Sequence, residues 1–316
     1  MKSFVLAAIA ASACAFSEIE SAFLGYITEY GKSYSSVAEY EMRLRNFAVK
    51  HTFITEHNAN PGEHTFKAGH NKMSDWTEEE YKALLTYRSS GEHIAEEVEI
   101  APILGGVDWR NSGCLNAIKD QGQCGSCWAF SGTASTETAW CNAKGTLFSL
   151  SEQQQVDCNK TCYGCNGGWS YQAINYLKTS YAESEKAYPY TAKDGTCKYS
   201  SSSATVVKTT GYTNVTADSP SAMKTALNSH ILSVAIEADK MVFQTYSSGI
   251  FNASTCGTNL DHATNVVGWG TSGTTDYWIM RNSWGTTWGE AGYMQLQIVS
   301  GVGICGIQME PLYANV

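Results

Sequence analysis

No stretch of this 316-residue chain holds the ~18 consecutive apolar residues that a membrane-crossing helix needs. Charge is sparse: Asp, Glu, Lys and Arg make up 16% against 43% hydrophobic residues, which excludes a disordered chain. The net charge of −9 leaves no basic surface for nucleic acid or an anionic membrane. Internal repeats are absent, and the only low-complexity tract is the short Ser200–Ser203 run. Cysteine is missing between residues 16 and 113, although the chain has eleven. Histidine is scarce where cysteine is dense: of seven, only His230 and His262 lie after residue 102.

At the start stands MKSFVLAAIAASACAFS. Lys2 supplies a positive end, Phe4 to Ala11 is apolar, and Ala13-Cys14-Ala15 fits a small-x-small cleavage site. This reads as a secretory signal, residues 1–15, removed after Ala15. Ten cysteines then remain, all between 114 and 305, and an oxidising compartment makes disulfides of such crowding. The sequons at Asn159, Asn214 and Asn252 are candidate glycosylation sites.

The excess acid is concentrated early. Up to residue 100, nine Lys and Arg face fifteen Asp and Glu; afterwards twelve face fifteen. Tyr40, Leu44, Phe47, His51 and Ile54 make a helical stripe over Ser35–Asn58, with Glu39 and Arg43 in ion-pair spacing. Asn60-Pro61-Gly62 stops that helix. Ser74 or Asp75 is expected to cap a further helix with Glu78 and Glu79 in its first turn. An acidic linker follows over 89–100. Cys127–Lys144 is then expected to be helical, with Gly145 as its stop. ILSVAIEA, HATNVVGWG, DYWIMRNSW and GYMQLQIV read as strands. Helices followed by strands imply two subdomains with a cleft between them.

Residues 121–131, QGQCGSCWAFS, set two cysteines three apart. A redox dithiol needs both thiols free, whereas this chain offers many partners for pairing. A zinc site at Cys158, Cys162 and Cys165 lacks a nearby His. The third reading makes Cys127 a nucleophile, its thiolate favoured at a helix N-terminus. It requires an imidazole and a group to orient it. His262, directly before an apolar strand, and Asn282 of RNSWG supply these; His230 looks like a turn residue.

QGQCGSCWAFS, CNGG at 165–168, NLDHATNVVGWG and RNSWGTTWGEAGY together resemble the papain family of cysteine proteases over residues 103–316. The signature around Cys127 and its separation from His262 and Asn282, 135 and 155 residues, are similar to the family's pattern. Residues 16–102 resemble the inhibitory propeptide of cathepsin L-like members, through Glu39, Arg43, Phe47, Lys50, Ile54 and Asn58, and through Gly69, Asn71, Met73 and Asp75. Lys50 replaces an expected Asn and Met73 an expected Phe.

The resemblance implies an α+β fold: a helical left half, a β-barrel-like right half, an active-site cleft between them, and a helical propeptide in front. It implies a secreted or lysosome-like monomeric zymogen of a cysteine endopeptidase, with no cofactor and no metal. Its partners would be peptide substrates, its own propeptide and cystatin-like inhibitors. Cys127, His262 and Asn282 would be catalytic, with Gln121 at the oxyanion. Gly167, Gly168, Trp169, Ala235, Leu260, Asp261, Trp284 and Glu310 would line the substrate cleft, taking apolar residues or Arg at the second position before the scissile bond. Cys124–Cys165, Cys158–Cys197, Cys256–Cys305 and Cys114–Cys141 would pair, leaving Cys162 over. The short Cys165–Cys197 interval leaves no room for an exopeptidase's occluding loop. A relative kept for binding or storage usually lacks the nucleophile or the imidazole, and both are present here.

Overall fold

The computed structural model describes residues 18–62, 64–91 and 105–316. The signal region, most of the acidic linker and the expected maturation site at Ile103 lie outside them.

The N-terminal region begins with helix α1 over 18–29 and helix α2, Val37–Ala59. Ser36 caps α2 by accepting from the Glu39 N–H. The helical stripe packs inward: Leu44 and Phe47 of α2 meet Phe23 and Tyr26 of α1 in a small core. Asp75 draws the two helices onto the segment that follows. It accepts hydrogen bonds from Tyr26 at 2.7 Å, Lys32 at 2.9 Å and Tyr34 at 3.0 Å. Burial opposes its charge, yet Lys32 and Tyr26 hold the carboxyl below the usual range.

Strand β1, Phe66–Ala68, and helix α3, Glu78–Lys82, complete the region. The cap of α3 is Thr77 and not Ser74 or Asp75, because Asp75 is committed to α1 and Ser74 accepts from Asn71 N–H. Thr77 and Glu80 form a reciprocal capping box. Arg43 reaches Glu80 and lies 3.8 Å from Glu39. Lys50 is buried, and its ammonium donates to the carbonyls of Met73 at 2.8 Å and Trp76 at 3.0 Å.

The larger region holds α4 (Cys127–Lys144), α5 (Glu152–Cys158) and α6 (Ser170–Tyr176). Gly145 ends α4 in the left-handed conformation at φ 73°. The strands are β2 (Val107–Asp108), β3 (Gly211–Asn214), β4 (Leu232–Ile236), β5 (Tyr246–Phe251), β6 (His262–Ser272), β7 (Thr275–Arg281), β8 (Tyr293–Gln297) and β9 (Leu312–Asn315). They order as β1-β5-β8-β7-β6-β4-β9-β3, with β2 on β6. The sheet is open: β1 of the N-terminal region stands at one end, β3 at the other. Its apolar face gathers Trp278, Trp284, Trp288, Phe243 and Met280. Where helices meet strands, Cys127, Trp128 and Ala173 pack with Ala235 and Ala263, and Tyr87 inserts among them.

Among the described residues four disulfides form: Cys114–Cys141, Cys124–Cys165, Cys158–Cys197 and Cys256–Cys305. Cys127 and Cys162 are free and buried. The three sequons differ. Asn159 is 3% exposed and donates to the Gln172 carbonyl at 3.1 Å, so a glycan on that nitrogen is incompatible with this fold. Asn214 and Asn252 are only partly buried.

The N-terminal region docks through its 66–81 segment. Phe66 pairs with Gly249, Gly69 N–H donates to the Thr245 carbonyl at 2.7 Å, and Asn71 to the Gln244 carbonyl at 2.8 Å. Between those two anchors sits His70, half-buried, with Nε2 2.9 Å from His51 Nδ1. Its ring stacks on Phe47 at 4.4 Å, and its carbonyl accepts from Tyr30. Burial, then the neighbouring His51 and Lys50, push the His70 imidazole from 6.5 down to about 4. The facing groups are Lys50 and His51 from α2, Tyr26 from α1 and Tyr30 just after it. A His whose folded pKa lies below its unfolded value gives stability that is full above pH 6.5 and drains away as pH falls toward about 4. In a Cys127→Ala chain, the α2 amides should therefore lose exchange protection through that window. His70→Phe keeps a stacked ring without the titration and should move the loss to lower pH by about half a unit or more. An unmoved midpoint would assign the acid response to other groups.

Candidate active site

Cys127 opens α4 with Ser126 as its N-cap residue. Its thiol is fully buried, and burial pushes it from 9.0 up to about 11, although backbone N–H groups including those of Ala263 and Thr86 pull the other way. His262 opens β6 across the seam. Its Nε2 lies 2.9 Å from Asn282 Oδ1, whereas Nδ1 has no hydrogen-bond partner among the described residues. Burial holds this imidazole down at about 4, against the Asn282 hydrogen bond. Trp284 stacks on the His262 ring at 4.7 Å, and Trp288 packs on Trp284 at 5.2 Å. Together they keep water from the His262–Asn282 bond. His230 stands elsewhere, stacked on Tyr313 at 3.9 Å.

Gln121 is fixed from the β7 side. Its backbone N–H donates to the Ser283 carbonyl at 2.8 Å, and its Oε1 accepts from Ser283 Oγ at 2.7 Å. The free Nε2 end reaches the Cys124 carbonyl at 3.0 Å and the Leu84 carbonyl at 3.4 Å. Ser283 was not legible as part of this cluster, since nothing in RNSWG marks it beside Asn282.

Residues 84–91 pass directly over these groups. Thr86 Oγ1 donates to the Gly125 carbonyl at 2.6 Å. Tyr87 N–H donates to the Asp261 carbonyl at 2.9 Å, and Arg88 N–H to the Gly168 carbonyl at 3.1 Å. The bridge between Tyr87 and Gly168 is parallel. At Gly167, with φ 109°, any side chain would strike the Thr86 carbonyl; at Gly168 it would strike Cys162 and Trp128. Gly167 therefore lets a chain lie flat against this edge, and Gly168 lets the edge itself pack on Cys162 and Trp128.

Tyr87 fills the pocket beside Ala235 and Ala263, with Trp169 and Leu260 packed against that cluster. At its far end Tyr87 donates to Glu310 Oε2 at 2.8 Å. Glu310 also accepts from Ser89 Oγ and, at 3.3 Å, from Gly91 N–H. Asp261 contributes only its backbone to the cleft. Its carboxylate turns away to accept from Ala238 N–H at 2.8 Å, and burial, helped by Asp239 and Glu237, lifts it to about 7. Tyr163, which sequence reasoning passed over, stands at the rim, 54% exposed, with Arg88 over its ring. Its only signal was an aromatic between two cysteines of a pinned loop.

Residues 105–315 match the family described as papain family cysteine protease, and residues 23–81 match the cathepsin propeptide inhibitor domain. Germination-specific cysteine protease 1 of Arabidopsis thaliana is 39% identical over 317 residues, covering 94% of this chain and 84% of the relative. Digestive cysteine proteinase 1 of Homarus americanus is 39% identical, covering 91% and 92%. Among solved structures, digestive procathepsin L 3 of the Tenebrio molitor larval midgut superposes with a TM-score of 0.86 at 34% identity, covering 94% of this chain and 99% of that one. Bromelain from Ananas comosus in complex with the E64 inhibitor matches 68% of this chain and all of its own at 40% identity, TM-score 0.64. The chain belongs to the papain family of cysteine proteases, and it is a zymogen that carries the family's propeptide as its intramolecular inhibitor.

Proposed function

We propose that Cys127, His262, Asn282 and Gln121 catalyse peptide-bond hydrolysis, and that the activated enzyme is an endopeptidase. The observation that carries this reading is a free cysteine at a helix N-terminus, across the seam from an imidazole held by an amide and roofed by Trp284.

Cys127 thiolate attacks the carbonyl carbon, forming a C–S bond and an oxyanion. The Gln121 Nε2–H and the Cys127 backbone N–H stabilise that oxygen. Imidazolium N–H passes its proton to the leaving amine as the C–N bond breaks. Water then attacks the thioester carbon, returns a proton to the imidazole and frees the thiolate. None of these steps requires a metal or cofactor. Asn282 orients the ring without adding charge. In the zymogen both partners are held neutral, since burial raises the thiol and lowers the imidazole. Removal of the propeptide restores water and lets the ion pair form.

Maturation near Ile103 suits the fold, because Val107 and Asp108 pair with Trp269 and Gly268 and stay in the sheet after a cut upstream. The absence of an insertion between Cys165 and Cys197 favours internal cleavage over dipeptide release. The signal-like start favours the secretory route, to a lysosome-like compartment or the exterior. Family membership supports a monomer that cystatin-like proteins inhibit. In the second-residue pocket, Ala235 and Leu260 suit apolar side chains, while Glu310 offers a fork acceptor for Arg. The propeptide's own contact, a hydroxyl on Glu310, supports that orientation of the carboxylate.

E-64 should label the activated chain at Cys127, and Cys127→Ala should abolish both labelling and peptidase activity while the zymogen still folds. His262→Ala should be nearly as severe and His230→Ala mild; the reverse ranking would displace His262 as the base. Alkylation of Cys127 should be slow in the intact zymogen below about pH 9 and fast in the processed enzyme near pH 5–6. Equal rates would show that the propeptide does not neutralise the pair. Glu310→Ala should lower cleavage of substrates with Arg at the second position before the scissile bond by about tenfold or more, from ~1.5–3 kcal/mol of charged hydrogen bonding, and leave Leu substrates unharmed. Equal losses for both would remove Glu310 from the pocket.

A further inference from the structure

The two donors assigned to the developing oxyanion come from different stretches of chain. One is the Gln121 side-chain amide. The other is the Cys127 backbone N–H, which belongs to the peptide unit joining Ser126 to Cys127. Stabilisation of this kind requires both donors to aim at one point, and a misplacement of about 0.5 Å is felt. Ser283 fixes Gln121 from the strand half. Tyr190 fixes it from the helix half, and reaches Ser126 as well.

The Tyr190 hydroxyl lies 2.8 Å from the Gln121 carbonyl and 2.6 Å from Ser126 Oγ. A phenol has one proton, and a carbonyl can only accept. Tyr190 therefore donates to Gln121, and Ser126 Oγ–H donates to Tyr190. Burial lifts the phenol well above its ordinary pKa, so that proton stays in place at neutral and acid pH.

Tyr190 is itself held. Its ring stands edge-on to Phe130, in the first turn of α4, at 4.9 Å and 87°. The Tyr190 N–H donates to Glu185 Oε1 at 2.8 Å, and the Thr191 N–H to Gln153 Oε1 at 2.8 Å. On the other side, the Ser126 carbonyl accepts from Ala129 N–H at 2.8 Å and Phe130 N–H at 3.2 Å. With its side chain on Tyr190 and its carbonyl in the helix, Ser126 leaves the Ser126–Cys127 peptide plane little freedom.

We propose that Tyr190 is a positioning residue for the oxyanion site: one phenol ties the Gln121 segment to the Ser126–Cys127 peptide and keeps the two donors converged. The proposal rests on the catalytic assignment given above. Tyr190 acts through Gln121 and Ser126 and not on the substrate.

The test uses the processed enzyme. Tyr190→Phe keeps the ring against Phe130 and removes only the hydroxyl. Two rates separate positioning from general damage. Hydrolysis of a peptide amide passes through an oxyanion. Alkylation by iodoacetamide does not, since the Cys127 thiolate bonds to a saturated carbon as iodide leaves. In Tyr190→Phe, kcat for the amide should fall about three- to tenfold, the range for one ordinary hydrogen bond, with KM unchanged. Alkylation should keep its wild-type rate and pH profile. Ser126→Ala leaves the Tyr190 ring and its Gln121 contact in place, so it makes the same comparison should Tyr190→Phe fail to fold. Its kcat should also fall, by no more than that of Tyr190→Phe, and the double variant should lose no more than Tyr190→Phe alone. An unchanged amide kcat in either single variant, equal falls in hydrolysis and alkylation, or additive losses in the double variant would each overturn the proposal. E-64 titration of the same preparations separates the two levels. No uptake at Cys127 in wild type would remove the catalytic assignment itself; normal uptake with unchanged amide turnover in Tyr190→Phe would remove only the role of Tyr190.

Discussion

Helix α4 is buried along most of its length, and the cleft is assembled against it. A buried helix must satisfy its polar groups inside the protein, and α4 uses them to fasten the strand half. Ser131 Oγ meets Ser233 Oγ at 2.6 Å and donates to the Thr264 carbonyl at 2.7 Å, while Asn265 donates to the Ser131 carbonyl at 3.0 Å. Ser135 accepts from Ala314 N–H, and Glu137 holds Lys119 and the Leu150 N–H. Through these contacts β4, β6 and β9 are registered to one helix. The positions of Cys127 at its end and of His262 at the start of β6 are therefore set by the same fastening.

In the mechanism proposed above, the propeptide inhibits by drying that arrangement. Thr86 and Tyr87 complete a cover under which neither the thiol nor the imidazole holds its charge at neutral pH. The Gln121 amide, proposed above for a developing oxyanion, donates to the Cys124 carbonyl and, at 3.4 Å, to the Leu84 carbonyl of the propeptide. The parallel bridge at Gly168 fixes the chain's direction along the edge. Anchors far from the sulfur hold the cover down, through Phe66, Gly69 and Asn71 on one side and Tyr81 against the Ala238 carbonyl on another.

Much of this was legible in the sequence. The α2 stripe, the length of α4 with its Gly145 stop, and the strands around His262 follow from periodicity and glycine chemistry that act locally. The disulfide pairings and the cleft residues came from resemblance, because spacing alone cannot choose among pairings. What stayed hidden depends on tertiary context. The α3 cap moved to Thr77 because a distant trio, Tyr26, Lys32 and Tyr34, claims Asp75. Lys50, a departure from the propeptide pattern, is buried where its ammonium finds two carbonyls, which no composition rule anticipates. Asp261 sits in the cleft by its backbone while its side chain serves the β4 turn. His57 is buried and His70 lies in a docking seam, positions that no local pattern in the sequence marks.

The hydroxyl that Tyr87 places on Glu310 ties two properties of the enzyme together across generations. In the pocket proposed above, the residue that would sort substrates is also one that holds the propeptide. On that proposed role, a change at position 310 that widened the diet of the mature enzyme would also remove two hydroxyl contacts of its own propeptide. Such a lineage produces a leaky zymogen until position 87 changes to match. Drift in specificity is thus confined to paired steps, and duplicated copies of this gene can diverge in taste only as fast as both ends of the chain change together.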